Sequence, residues 1–125
     1  MQPIAKQGDS IKAVDIHVVV VNGVPTPTPT PFDGTLVEDL SPDVIAEHRA
    51  VAVVGSRAKN EPAHVAIGGS FQRAPKNEAK VVTGSGIVLV NGKPIARNGD
   101  QADTCNDPVD LPNGSVSSIG TVVSG

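Results

Sequence analysis

The sequence predicts an all-β fold, a single domain over 1–125 built from three β-hairpin units related by an internal repeat. Three observations carry this prediction. β-branched residues dominate, with 20 Val and 8 Ile against 4 Leu, a bias that suits strands better than helices. Glycine and proline supply 13 and 11 of the 125 residues, so turns must be frequent. The pattern Ile/Val-Ala-x-x-Gly-Asp/Ser occurs three times, the signature of a repeat architecture.

The first copy is Ile4-Ala5-Lys6-Gln7-Gly8-Asp9. The second and loosest is Val51-Ala52-Val53-Val54-Gly55-Ser56, and the third is Ile95-Ala96-Arg97-Asn98-Gly99-Asp100. Their starts lie 47 and 44 residues apart, and Pro3 and Pro94 precede the first and third. Flanking segments repeat as well. Ile16-His17-Val18-Val19-Val20-Val21-Asn22-Gly23 parallels Gly86-Ile87-Val88-Leu89-Val90-Asn91-Gly92, with a weaker echo in His64-Val65-Ala66-Ile67-Gly68-Gly69. Asn-Gly favours a tight hairpin because both central residues need positive φ. Each unit therefore reads as strand, turn, strand, then a Gly-Asp/Ser turn into the next excursion.

Residues 24–47 are expected to be a surface excursion outside the units. Proline at every second position from Pro25 to Pro31 imposes extended chain and removes backbone donors. Phe32 to Glu47 carries five acidic and no basic residues. Ser41-Pro42-Asp43 suits either a short helix start, with Ser41 as N-cap, or the second unit's hairpin. Phe71 to Lys80 forms a second, basic excursion.

Composition excludes several function classes. Net charge is −3 and the only aromatics besides histidine are Phe32 and Phe71. A nucleic-acid surface would need a basic face with stacking rings, so no nucleic-acid partner is expected. The longest apolar run, Ile16 to Val21, falls far short of the ~20 residues of a membrane-spanning helix, so no stable membrane insertion is expected. The start Met1-Gln2-Pro3-Ile4 lacks the charged and apolar regions of a signal peptide, which predicts synthesis in the cytoplasm without one. A lone cysteine permits no internal disulfide. A small core rich in Val and Ala calls for a staple such as a metal or an oligomer.

The soft-metal donors are His17, His48, His64 and Cys105. His17 and His64 each lie eight residues after the Asp/Ser of their repeat, and Cys105 lies five after Asp100. If a pseudo-three-fold axis relates the units, these three side chains converge on it. Imidazole and thiolate together suit zinc, with iron as the alternative. His48 is out of phase and falls toward the opposite end of its unit. A fourth ligand could be His48, Asp103, Asp15, a water or a partner group. A catalytic zinc would need an open position and a base, and no His-Glu-x-x-His helix or Gly-x-Ser-x-Gly elbow supports an enzyme.

Pro94-Ile95-Ala96-Arg97, the looser Pro3-Ile4-Ala5-Lys6 and Ala50-Val51-Ala52-Val53, and the flanking Val90-Asn91-Gly92-Lys93 and Gly-Asp pairs resemble the PAAR-repeat proteins. That family caps the spikes of type VI secretion systems and related phage-like contractile injection systems. The resemblance covers roughly 1–23, 44–69 and 80–125, and Thr83 to Asp100 is its most specific stretch. It implies a short cone of β-hairpins with a metal-stapled tip, in which His17, His64 and Cys105 take the ligand role. The family commonly supplies three histidines and a cysteine, so one histidine is missing here. It also implies a non-enzymatic structural role: one copy caps a trimeric, VgrG-like β-helical spike, sharpens it for membrane piercing and travels with the particle tip to the extracellular or target-cell side. With no room for a toxin domain before Gly125, cargo would bind non-covalently. Two other readings compete. One is an effector-loading adaptor that uses the acidic stretch Asp33 to Glu47 and can coexist with the tip role. The other is a zinc hydrolase using the His17, His64 and Cys105 site.

Overall fold

The computed structural model describes residues 1–125 and contains strands but no helix. In chain order the strands are β1 (Gln2–Pro3), β2 (Ser10–Val21), β3 (Val24–Glu38), β4 (Ile45–Ala46), β5 (Arg49–Ala50), β6 (Arg57–Asn60), β7 (Ser70–Phe71), β8 (Glu78–Val81), β9 (Leu89–Val90), β10 (Lys93–Pro94), β11 (Gln101–Thr104), β12 (Leu111–Ser117) and β13 (Val123–Ser124).

Six strands close on themselves. Antiparallel pairing runs β2–β3–β6–β8–β11–β12 and returns from β12 to β2. The result is a small barrel without a free edge along its wall. Its register shows the repeat directly: Ile11 faces Val116, Ala58 faces Leu36, and Ala102 faces Val81. These six side chains are buried and fill one layer of the interior. In the next layer Gly34 and Gly114 leave space that larger neighbours fill. A Cβ on Gly34 would lie 2.6 Å from the Phe32 ring, and one on Gly114 2.8 Å from Thr104 Cγ2.

The three repeat copies meet at the base. Ala5 donates its N–H to Ala96 O (2.9 Å), Ala96 to Ala52 O (3.0 Å), and Ala52 to Ala5 O (2.9 Å). This closed cycle of three bonds is the pseudo-three-fold axis expressed in backbone. Each Gly-Asp/Ser turn is then fastened in the same way. Asp9, Ser56 and Asp100 each donate a backbone N–H to the residue three earlier, and their side chains accept that residue's N–H in return. Such short polar side chains bonding nearby backbone are ordinary turn chemistry, which is why the motif ends in Asp or Ser.

Three two-stranded ladders surround the ring: β4–β5, β9–β10 and β1–β13. The third joins the two ends of the chain, so one unit's hairpin is divided between the termini. A second core of Ile4, Ala46, Val51, Val53, Val90 and Ile95 lies beneath these ladders.

Two sequence expectations are corrected here, and one left open between a helix and a hairpin is decided. The Pro-Thr stretch is extended, but it is not an excursion outside the units: β3 pairs along the whole length of β2, from Val21↔Val24 to Ser10↔Thr35. Alternate residues of a strand point their N–H groups to opposite edges, so four prolines at every second position remove donors from a single edge. They leave β2 fully paired and make the outer edge unable to donate, which blunts it against pairing with another chain. The Ser41 segment forms the β4–β5 hairpin, not a helix. Ser41 Oγ still accepts the Val44 N–H (3.0 Å), and positive φ at Glu47 and His48 closes the turn. Finally, Asn22-Gly23 and Asn91-Gly92 are not equivalent. The first turns the far end of the long β2–β3 hairpin and the second turns the β9–β10 ladder at the base.

Candidate metal centre

β2, β6 and β11 leave the base together, and the chemistry-bearing residues lie part-way along β2 and just beyond the ends of β6 and β11. Asp15 and His17 project from the same face of β2, two residues apart as strand geometry requires. His64 follows β6, and Cys105 directly follows β11. One donor atom from each of Asp15, His17, His64 and Cys105 lies within 4.8 Å of all the others. The three residues expected from repeat phase are therefore brought together, and Asp15 completes the group. His48 is exposed in the β4–β5 turn at the base, and Asp103 points outward from the wall between buried Ala102 and Thr104. Neither reaches the cluster.

The geometry suits a tetrahedral ion. Cys105 Sγ lies 3.6 Å from His17 Nε2 and 3.4 Å from Asp15 Oδ2, and Asp15 Oδ2 lies 3.0 Å from His64 Nε2 and 4.0 Å from His17 Nε2. Bonds of about 2.0–2.3 Å to nitrogen, oxygen and sulfur imply donor–donor edges of about 3.3–3.6 Å. The observed distances straddle that range. All four side chains are nearly sealed from solvent, at 2% exposure or less.

Burial also makes a cation chemically welcome. Asp15 is fully buried, and its ion-pair partners are only the two imidazoles. The Thr104 hydroxyl donates to its other oxygen. A buried carboxylate without a compensating positive charge is costly. Burial and, secondarily, the Asp15 charge push the Cys105 thiol up to about 11, so without a cation it stays protonated at neutral pH. His17 is pushed below the ordinary imidazole value, first by burial and then by neighbouring His64. It is therefore neutral, the form that binds metal.

A pH dependence follows. Because the folded-state pKa of His17 lies below its unfolded value, its contribution to stability is full above pH ~6.5. That contribution is lost as pH falls from there through the lowered folded value. Bound metal adds to the loss, since protons compete for both imidazoles. Melting temperature should be flat between pH 7 and 8 and fall below pH ~6. A profile flat down to pH 4.5 would contradict the site.

Further residues that sequence reasoning missed hold the cluster in place. Asn106 Oδ1 accepts the Ile16 N–H (2.7 Å), and its amide donates to Thr104 O (3.0 Å). Phe32 and His17 flank the His64 ring, with centroids at 6.1 and 5.0 Å. For Asn106 the available signal was its place directly after the lone cysteine.

The acidic stretch does not form a free acidic face. Glu38 pairs with Lys59 (2.7 Å), Asp39 with Arg57 (2.7 Å) and Glu47 with Lys6 (3.4 Å), while Asp43 accepts from Asn91 (2.8 Å). Only Asp33 lacks a side-chain partner of this kind.

The family model described as the PAAR motif matches residues 2–110. No curated protein and no solved structure matches the chain. The match spans the three alanine-centred turns, five of the six barrel strands and all four clustered donors. A chain with this closed three-fold base and this single polar cluster inside its far end belongs to the PAAR motif family, the spike-tip-type proteins of contractile injection systems.

Proposed function

We propose that this protein caps the end of a trimeric β-helical spike, one copy per trimer, as a non-enzymatic tip stapled by one zinc ion. The base carries the reading. Ile45, Leu89 and Val123 occupy the same position in the three ladders, and each points away from the core with 66%, 62% and 43% of its surface exposed. Three apolar side chains repeated about one pseudo-three-fold axis match a partner with a true three-fold axis, and burying them on a blunt trimer end would supply the driving force. The unequal loops break the match elsewhere, which leaves one copy on three.

At the other end, Asp15 Oδ2, His17 Nε2, His64 Nε2 and Cys105 Sγ would hold the ion, with Asp15 standing where the family commonly places a histidine. Two imidazoles, a thiolate and one oxygen favour zinc over harder ions. Such an ion would tie three separate chain segments together. Four protein donors fill a tetrahedral shell and leave no position for substrate, which supports a structural ion over a hydrolytic one. Passage outward on the particle tip completes the reading.

The test is mixing purified chain with a trimeric spike protein of the same injection system and determining mass in solution. A 1:3 complex is expected, and Leu89→Asp, a surface change outside both cores, should weaken it at least tenfold. Absence of a complex at micromolar concentration would overturn the docking reading and leave the metal reading to its own test.

A further inference from the structure

The segment at 70–77, which leads into β8, makes contacts that neither barrel closure nor docking at the base requires. β7 lays Ser70 and Phe71 against Val20 and Val19 of β2, and Gln72 donates its N–H to Val18 O (2.9 Å). The Phe71 and His17 rings meet in a T-shaped contact, with centroids 5.9 Å apart at 74°. Arg73 then reaches across to the segment that follows Cys105. Its guanidinium binds Asp107 Oδ1 (2.8 Å), Asn106 O (2.8 Å) and Pro108 O (2.9 Å). The segment is thus tied at one end to β2 and at the other to the chain behind the cysteine.

Asp107 stands between that strap and the cluster. Its Oδ2 accepts the Val18 N–H (2.8 Å) and faces His17 Nδ1 at 3.6 Å. His17 Nδ1 is a buried nitrogen with no hydrogen-bond partner, the only such side-chain atom in the structure. When Nε2 of an imidazole binds a metal, Nδ1 carries the proton and needs an acceptor that fixes the ring. The carboxylate aimed at it is Asp107, and Arg73 and Val18 fix how that carboxylate is turned.

We infer that Arg73 and Asp107 form a latch, a pair of positioning residues that hold His17 in its metal-binding orientation and slow release of the ion from the tip. The inference rests on the metal reading above. Phe71 covers the His17 ring, Asp107 fixes its rotation, and Arg73 locks Asp107 from outside. Arg73 itself is more than half exposed, so the latch is fastened at the surface while the ligands stay sealed. A bidentate, planar cation suits this work because one guanidinium can satisfy a carboxylate and two carbonyls at once. A lysine offers one point charge and cannot span the three acceptors.

The test is the rate at which zinc-loaded protein gives up its ion to an excess of a chromophoric chelator. Outer-shell partners of ligating histidines are worth about 10–100-fold in affinity, so Asp107→Ala should speed release by about that factor and Arg73→Ala by about tenfold. Arg73→Lys should lie between wild type and Arg73→Ala. The double variant should release no faster than Asp107→Ala alone, because Arg73 acts through Asp107. A merely structural role for the strap would lower the melting temperature of the metal-free form as well, and here Arg73→Ala should leave that temperature unchanged. Wild-type release kinetics in Arg73→Ala, or rate effects that multiply in the double variant, would overturn the latch alone. A wild-type chain that takes up no zinc would overturn the metal reading, and the latch with it.

Discussion

Replacing Cys105 with serine should remove the bound ion and lower the melting temperature by more than about 10 °C, since structural zinc contributes several kcal/mol or more to folding in small domains. The thiol sits at the meeting point of three segments, 3.6 Å from His17 and 3.4 Å from Asp15. Serine keeps the size but not the soft, ionisable donor. It leaves Asp15, fully buried, without the cation that would balance it. The measurement is elemental analysis beside thermal melting, in wild type and variant, with and without chelator. About one zinc per wild-type chain is expected, with none in the variant. Stripped wild type should melt near the variant. If wild type binds zinc and the variant melts within about 2 °C of it, the ion is decorative to the fold, and the stapled-tip reading fails. Alkylation gives an independent check. In the stripped protein Cys105 is a buried thiol with its pKa near 11, so it should react slowly at pH 8 until the protein unfolds.

How much of this was legible in the sequence varies by residue. His17, His64 and Cys105 were found because repeat phase converts position in the chain into position about an axis. Asp15 stood only among several alternatives. Its signal was the Asp-x-His spacing, which puts both side chains on one face of a strand, but the repeat offers it no counterpart: the equivalent positions six residues after Ser56 and Asp100 are Pro62 and Asn106. The pairing of the Pro-Thr stretch with β2 was missed because proline was read as leaving the sheet when it only silences one edge. The equation of Asn22-Gly23 with Asn91-Gly92 failed for a related reason: the dipeptide reports positive φ, 50 and 77° in one and 53 and 80° in the other. It says nothing about which end of a unit it turns. Asp107 and Arg73 were invisible because their roles depend on a contact between separate loops. The three alanines were conspicuous as a motif, yet only the structure shows what their smallness is for.

That smallness yields the second large effect. Ala96→Leu should destabilise the chain by about 3 kcal/mol or more, at the upper end of what overpacking costs. Ala5, Ala52 and Ala96 are each 0% exposed and belong to the same core cluster. Each of their backbones bonds both of the others. A barrel wall can bend to admit an extra methylene, but a closed ring of three chain segments cannot open at one side without breaking a bond it shares with its neighbour, at about 1 kcal/mol apiece. Leucine at any of the three positions should therefore cost nearly the same, although the surrounding motifs differ in sequence. Urea unfolding of the three single variants measures this, provided the slopes stay equal. Costs under about 0.5 kcal/mol, or costs scattered widely among the three sites, would show that the ring is not the structural centre of the base. The ring and the metal cluster are separated by roughly 17 Å of strand between Ser10 and Asp15. Combining Ala96→Leu with Cys105→Ser should therefore give additive losses, as expected of a tip closed by two independent clasps, one of backbone at the base and one of metal at the point.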